Sequence, residues 1–281
     1  MILDLSVLFS NDNWFFTIAI VFLMFVNWGI EALKWRLLIA PIETIDIKSS
    51  FKGVLLGVTI SIFTPNRVGE FAGRIFFLEK ADKVQATLMS LIGSVMQLLV
   101  TVIAGVLAFF LLEKTYYDFF QTEQFVSTNV LLFVFVLVVA ILVVVYTILK
   151  KQTPSRFKKY IDTFKLHSSK NLNVAFNLSI LRYIVFSIQY YLALKIFGIN
   201  GGTAIVFSLI ALTFFVTSVI PTFALTEIAV RSGVAIYFFG TITIAHAPIL
   251  ASSLFLWIIN LAIPALIGML FVRKLKFFKE Q

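Results

Sequence analysis

Four stretches of this chain run past 20 residues without an Asp, Glu, Lys or Arg: Val84 to Leu112, Phe125 to Leu149, Ile196 to Thr226 and Ser232 to Val272. About 20 apolar residues suffice for a helix to cross the hydrocarbon layer of a bilayer. Lipid offers the backbone no hydrogen-bond partner, so each run must be helical. Of the 281 residues, 60% are hydrophobic and 13% charged, against roughly 45–50% and 25% in soluble domains. No soluble core absorbs that excess, and the expected fold class is an all-α polytopic membrane protein. Cysteine is absent, which excludes thiol catalysis, disulfides and cysteine-ligated metals. The N-terminus Met-Ile-Leu-Asp carries no basic region, so the first span is expected to be retained and not cleaved as a signal peptide. A net charge of +9 with no groove-reading domain points to anionic lipid headgroups, not to nucleic acid.

Basic residues set the expected topology, because short cytoplasmic loops carry the excess of Lys and Arg. They concentrate at 34–52, 74–83, 150–170 and the tail from Arg273, whereas 113–124 is acidic and the connections near 198–203 and 240–246 are uncharged. Threading the chain accordingly gives an N-terminus outside and full spans at about 14–36, 84–112, 129–149, 174–197 and 246–272, with a cytoplasmic C-terminus. Two segments, 51–80 and 203–240, begin and end on the same side. Gly53 to Asn66 is too short for a span and stops at Pro65, so a re-entrant hairpin of two half-helices fits the first. In all, about six full spans are expected.

The two hairpin segments resemble each other. Pro65 is followed by Glu70 and Arg74, and Pro221 by Glu227 and Arg231; Pro to Glu is five residues in one and six in the other. With one hairpin entering from each side, this predicts an inverted-topology repeat. Its halves are 1–128 and 171–281 of a single membrane domain, joined by a linker span at 129–149 and a basic cytoplasmic loop at 150–170.

On a helix Arg67, Glu70 and Arg74 would share a face, as would Glu227 and Arg231. Five such charges facing mid-membrane lipid would cost on the order of 12–17 kcal/mol, so they must face protein, water or headgroups. Pro65 and Pro221 read as the first residues of half-helices, with Thr64 as a cap, and helix N-termini would add positive partial charge. The candidate substrate-binding residues are therefore Pro65, Asn66, Arg67, Glu70, Arg74, Pro221, Glu227 and Arg231. The alternative is that the Glu–Arg pairs only lock the halves together. Gly69 and Gly73 would let another helix approach closely. Glu31, Lys34 and Arg36 are secondary candidates, divided between headgroup contact and an interfacial belt with Trp28 and Trp35. Arg182 reads as snorkelling to the interface, and Gln97, Gln189 and Asn260 as interhelical hydrogen-bond formers. Neither His167 nor His246 has a second ligand at metal spacing, and no metal or cofactor is expected.

The stretch Thr64-Pro-Asn-Arg-Val-Gly-Glu-Phe-Ala-Gly-Arg74 resembles the Pro-x-Arg-x-Gly-Glu signature of the lysylphosphatidylglycerol synthase transmembrane-region family, which comprises flippase-like integral membrane proteins. Glu31 to Leu38 resembles that family's basic-aromatic end of the first span. Pro221 to Glu227 stands where a second Pro…Glu motif is glycine-rich in the family. The resemblance implies a lipid translocator in a bacterial or archaeal cytoplasmic membrane. Bifunctional members carry a cytoplasmic aminoacyltransferase after the membrane region; only Arg273 to Gln281 follow the last span here, so lipid aminoacylation is not expected of this chain.

Three functions fit these residues. The first is a non-enzymatic translocator of an anionic phospholipid or isoprenoid-linked lipid between the two hairpins. The second is a proton-coupled transporter of a small anionic solute. The third, a lipid-modifying enzyme, lacks a recognisable nucleophile, base or metal cluster. The expected partners are membrane lipids, with a second copy or a separate cytoplasmic lipid-modifying enzyme as further candidates.

Overall fold

The computed structural model describes residues 5–10, 13–115 and 169–272. The expected linker span 129–149, the basic loop 150–170 up to residue 168 and the C-terminal tail lie outside these. All regular structure among the described residues is helical. Helix α1 (Trp14–Ile39) is followed by α2 (Ile47–Ser61), a 3₁₀ turn (Pro65–Arg67), α3 (Gly69–Ile75) and α4 (Lys83–Thr115). Beyond the undescribed segment come α5 (Ser169–Ile196), α6 (Thr203–Val219), α7 (Ala224–Phe239), α8 (His246–Trp257), a π turn (Ile258–Ala262) and α9 (Ile263–Val272). The order long helix, hairpin, long helix thus occurs twice. Among the described residues four helical stretches are long and apolar enough to cross a bilayer: Trp14–Ile39, Lys83–Leu112, Ser169–Ile196 and His246–Phe271.

Local sequence explains where these helices start and bend. Asp46 caps α2, its carboxylate accepting the Lys48 and Ser49 N–H groups at 3.2 and 3.3 Å. Asp82 does the same before α4, for Val84 and Gln85 at 2.9 and 3.3 Å. Pro264 has no N–H for the carbonyl of Asn260 four residues earlier, and the helix widens into its π turn just ahead of it. That turn places Asn260 at the inside of the fold.

Helices α1 and α5 pack on each other, while each hairpin packs against a helix of the other half: α2 against α9 and α6 against α4. Small residues allow both of the latter contacts. Gly268 of α9 lies on the Leu55 carbonyl of α2, and Gly105 of α4 on the Phe215 side chain of α6. Thr59 adds a hydrogen bond across the first contact, to the Ala265 carbonyl at 2.8 Å. Within the first hairpin α2 and α3 touch backbone to backbone at Gly57 and Gly73, and Gly69 abuts the Ile60 carbonyl. A side chain at Gly73 would overlap the main chain of α2. The close approach read from Gly69 and Gly73 therefore occurs inside the hairpin itself.

Trp28 and Trp35, expected in an interfacial belt, are instead core residues. The face of α1 that carries Glu31 and Lys34 is turned to α5 and the first hairpin, and the indoles go with it.

Candidate functional site

The hairpin tips meet. The Asn66 N–H donates to the Thr222 carbonyl at 2.9 Å, and the Thr222 N–H donates to the Asn66 side-chain oxygen at 3.1 Å. To make this junction Asn66 and Arg67 both adopt left-handed backbone, with φ of 49° and 57°. Asn tolerates that region; Arg does so at a cost. The prolines therefore do not open half-helices, as their sequence context suggested. Pro65 starts the 3₁₀ turn and Pro221 lies in the extended tip, while the helices proper begin at Gly69 and Ala224. The tip turns instead of continuing because Pro65 fixes φ and Asn66 reverses its sign. With only seven residues, α3 adds little end charge to this junction, where Arg67 and Arg231 supply full charges.

Arg67, outside α3, leaves the face shared by Glu70 and Arg74 and reaches across the junction. Its Nη2 and Nε donate to Glu227 Oε2 at 2.6 and 3.1 Å. Arg231, one turn along α7, donates to the other oxygen of Glu227 at 2.6 Å and stacks over the Phe186 ring at 5.6 Å. Its Nε is buried without a hydrogen-bond partner. One carboxylate thus holds two arginines, one from each hairpin.

A second carboxylate, Glu31 of α1, holds three cations. It meets Lys34 at 2.8 Å, Arg74 at 3.0 Å and Arg182 of α5 at 3.1 Å. Arg74 also binds Glu70 at 3.2 Å, and Lys34 donates to the Gly93 carbonyl of α4 at 3.2 Å. Arg182 is not a snorkelling residue. Its Nε donates to the Asn27 side chain at 2.9 Å, its guanidinium lies over Trp28 at 5.1 Å, and Asn27 in turn donates to Asn260 of the π turn at 3.3 Å. Arg36 is turned away, exposed and bonded to the Ile45 carbonyl at 3.1 Å, so it does not join the cluster.

A cavity of about 530 Å³ lies between these groups. Arg67, Arg182, Arg231 and Glu227 line it together with Asn27, Asn66, Gln97 and Asn260, and Pro221 and Thr222 form its rim at the second tip. Glu70, Arg74, Glu31 and Lys34 are not in its wall; Arg74 and Lys34 are buried behind it, in ion pairs with Glu31. Five cationic side chains, Lys34, Arg67, Arg74, Arg182 and Arg231, share the three carboxylates Glu31, Glu70 and Glu227. The region is cationic on balance. Sequence reasoning missed Asn27 and the inward course of Arg182. The available signal was the spacing of Asn27, Glu31 and Lys34, which puts three polar groups on one stripe of an otherwise apolar helix. Gln97, Gln189 and Asn260 do make interhelical bonds, the first two to the Ser179 and Ile20 carbonyls at 3.3 and 2.9 Å.

The family model described as lysylphosphatidylglycerol synthase TM region matches residues 4–268. The chain belongs to that family. As a lysylphosphatidylglycerol synthase TM-region protein with several apolar helices of spanning length, it is a multi-pass membrane protein. Comparisons with curated proteins and with solved structures gave no match.

Proposed function

We propose that this protein binds the anionic headgroup of a membrane lipid at the junction of its two hairpins and moves it across the bilayer. The observation that carries the reading is the cationic cavity. Its arginines come from α5 and from both hairpins, and 530 Å³ suits a headgroup more than a whole lipid. Arginine forks bind phosphate through paired donors, and here Arg231 keeps one buried donor unused. Lipid movement would follow if a phosphate competes with Glu227 for Arg67 and Arg231, because the Arg67–Glu227 ion pair, with the Asn66–Thr222 hydrogen bonds, joins the hairpins.

The same reading takes the hairpins as re-entrant and the two halves as an inverted repeat. The N-terminus would be outside and the C-terminus cytoplasmic, in a cell membrane. Support comes from the repeated element order and from the reciprocal packing of α2 on α9 and α6 on α4. Translocation, not lipid synthesis, is the activity proposed.

The test is a proteoliposome assay with fluorescent phosphatidylglycerol and phosphatidylcholine, in which a reductant quenches the lipid that reaches the outer leaflet. Losing one charge-assisted pair of hydrogen bonds costs about 1.5–3 kcal/mol, so Arg182→Gln and Arg231→Gln should each slow the anionic lipid about tenfold or more. Phosphatidylcholine should be far less affected. Folded variants that move both lipids at parental rates would overturn the proposal. Uptake of inorganic phosphate with no lipid movement would favour the small-anion transporter.

A further inference from the structure

Beside the charged cavity lies a second one of about 500 Å³, and Tyr183 of α5 borders both. The remaining walls are continuous as well. On α4, Gln97 and Thr101 line the first cavity and Ala104, Ala108 and Leu111 the second. Steps of three and four residues put all five on one face of the helix. On α6 the same spacing runs from Ser218 and Phe214 in the first cavity to Ala211, Phe207 and Ala204 in the second. Each stripe begins polar and ends apolar. At the changeover stand the hydroxyl side chains of Tyr183 and Ser187, one turn apart on α5.

The dimensions and the opening of the second cavity narrow what it can take. From Ala104 to Leu112, the stretch of α4 in its wall, a helix rises about 12 Å, against about 15 Å for one leaflet of the roughly 30 Å hydrocarbon thickness of a bilayer. Alanines on the facing stripes of α4 and α6 leave a slot between helices that elsewhere touch at Gly105 and Phe215. Leu107, Leu111 and Ile184, at 58%, 62% and 46% exposed, form its open side. A slot that is apolar, most of a leaflet deep and continuous with a cationic chamber has the shape of a lipid cut lengthwise.

We infer that this slot between α4, α5 and α6 holds one hydrocarbon chain of the lipid whose phosphate lies among Arg67, Arg182 and Arg231. The inference rests on the headgroup reading above and sharpens it. The ligand is then a phosphate-bearing lipid with at least one slender chain, not a free anion. Little affinity should come from the chain, because leaving surrounding lipid for an apolar slot gains no hydrophobic free energy. What the slot supplies is position, so proximity is the quantity to measure.

The experiment uses the full chain in proteoliposomes of neutral lipid with trace phosphatidic acid carrying a photoreactive diazirine in one chain. Phosphatidylcholine with the same chain is the control. After illumination, adducts are located by mass spectrometry of peptides. Phosphatidic acid should label residues 104–112 and 204–211 at least about fivefold more than phosphatidylcholine, the equivalent of roughly 1 kcal/mol. Leu107→Trp, at an exposed position that does not threaten folding, should block the open side and remove most of that excess; Arg231→Gln should remove it by releasing the headgroup. Equal labelling by both lipids, unchanged by Leu107→Trp, would overturn the slot assignment. Should Arg231→Gln still abolish anionic selectivity in the movement assay, the slot would fall while the cationic cavity stood; if phosphatidic acid had no preference at any peptide and movement was unselective, both would fall. A disulfide between Leu107→Cys and a cysteine in 129–149 that forms regardless of lipid would show the chain filling its own slot and equally overturn the inference.

Discussion

Replacing Glu31 by Gln keeps the side chain's size and removes the charge on which Lys34, Arg74 and Arg182 converge. The three cations are not left equally bare. Arg74 retains Glu70 and Arg182 retains the Asn27 side-chain oxygen, whereas Lys34, 1% exposed, keeps only the Gly93 carbonyl. Removing one partner of a buried ion pair costs about 3–5 kcal/mol, and with three cations affected the expected loss lies at about 4–5 kcal/mol. For Glu227→Gln it should be smaller, about 2–3 kcal/mol, between the surface and buried ranges, because Arg67 is 31% exposed and open to water while the more buried Arg231 loses its carboxylate. The assay is unfolding of purified protein in mixed micelles with rising denaturing detergent, followed through the fluorescence of the buried Trp28 and Trp35. Adding Lys34→Met to Glu31→Gln removes the cation left without any anion and should restore about 2 kcal/mol, a non-additivity that marks direct coupling. If Glu31→Gln unfolds within 1 kcal/mol of the parent, or if Lys34→Met restores nothing, the view of Glu31 as the buried anchor of α1, α3 and α5 is wrong.

Gly73→Leu should force α3 off α2 at Gly57 and cost about 1–3 kcal/mol or more in the same unfolding assay. Asn66→Ala should lose the side-chain bond to Thr222 and strain the left-handed turn, costing about 1–2 kcal/mol in the same assay; unchanged stability would contradict the junction described. Glu43 lies in the loop after α1; partial burial raises its pKa, but N–H groups of Glu79, Lys80 and Ala81 at 3.1, 2.9 and 2.8 Å outweigh this and hold it below the usual carboxylate range. Its stabilisation is present above the ordinary carboxylate pKa and is lost as pH falls through the lowered value, so Glu43→Gln should be less stable than the parent by about 1 kcal/mol at neutral pH, and the two melting curves should converge in acid. Ser10→Cys should react with an impermeant thiol reagent from outside and Ser155→Cys only from the cytoplasmic side; the reverse pattern would overturn both the orientation and the inverted-repeat reading.

The helical class, the spans at 14–39, 83–112, 169–196 and 246–271 and the two hairpins were legible because uncharged length and proline position are local properties of the chain. The Glu70–Arg74 and Glu227–Arg231 pairs were legible for the same reason, since helical spacing alone brings them together. What the sequence concealed are partners far apart in it. Arg182 meets Asn27 across 155 residues, and a lone arginine near a span end looks the same whether it turns out to the headgroups or in to a carboxylate. The left-handed Arg67 was equally hidden. Its backbone is imposed by the meeting with Thr222, not by any preference of the Pro-Asn-Arg sequence beyond the tolerance of Asn66.

That meeting also orders the protein's own synthesis. Glu227 lies 160 residues beyond Arg67, and at about 5–20 residues per second a ribosome needs roughly 10–30 s to make the intervening chain. During that interval Arg67 has no Glu227 to pair with, and until α5 is made Glu31 has no Arg182. The first hairpin must therefore wait unfinished, its Arg67 left to lipid headgroups or water while Arg74 already has Glu70 and Glu31, until the second hairpin arrives to complete it. A chain stopped after its first half would carry the motif intact and the site unbuilt.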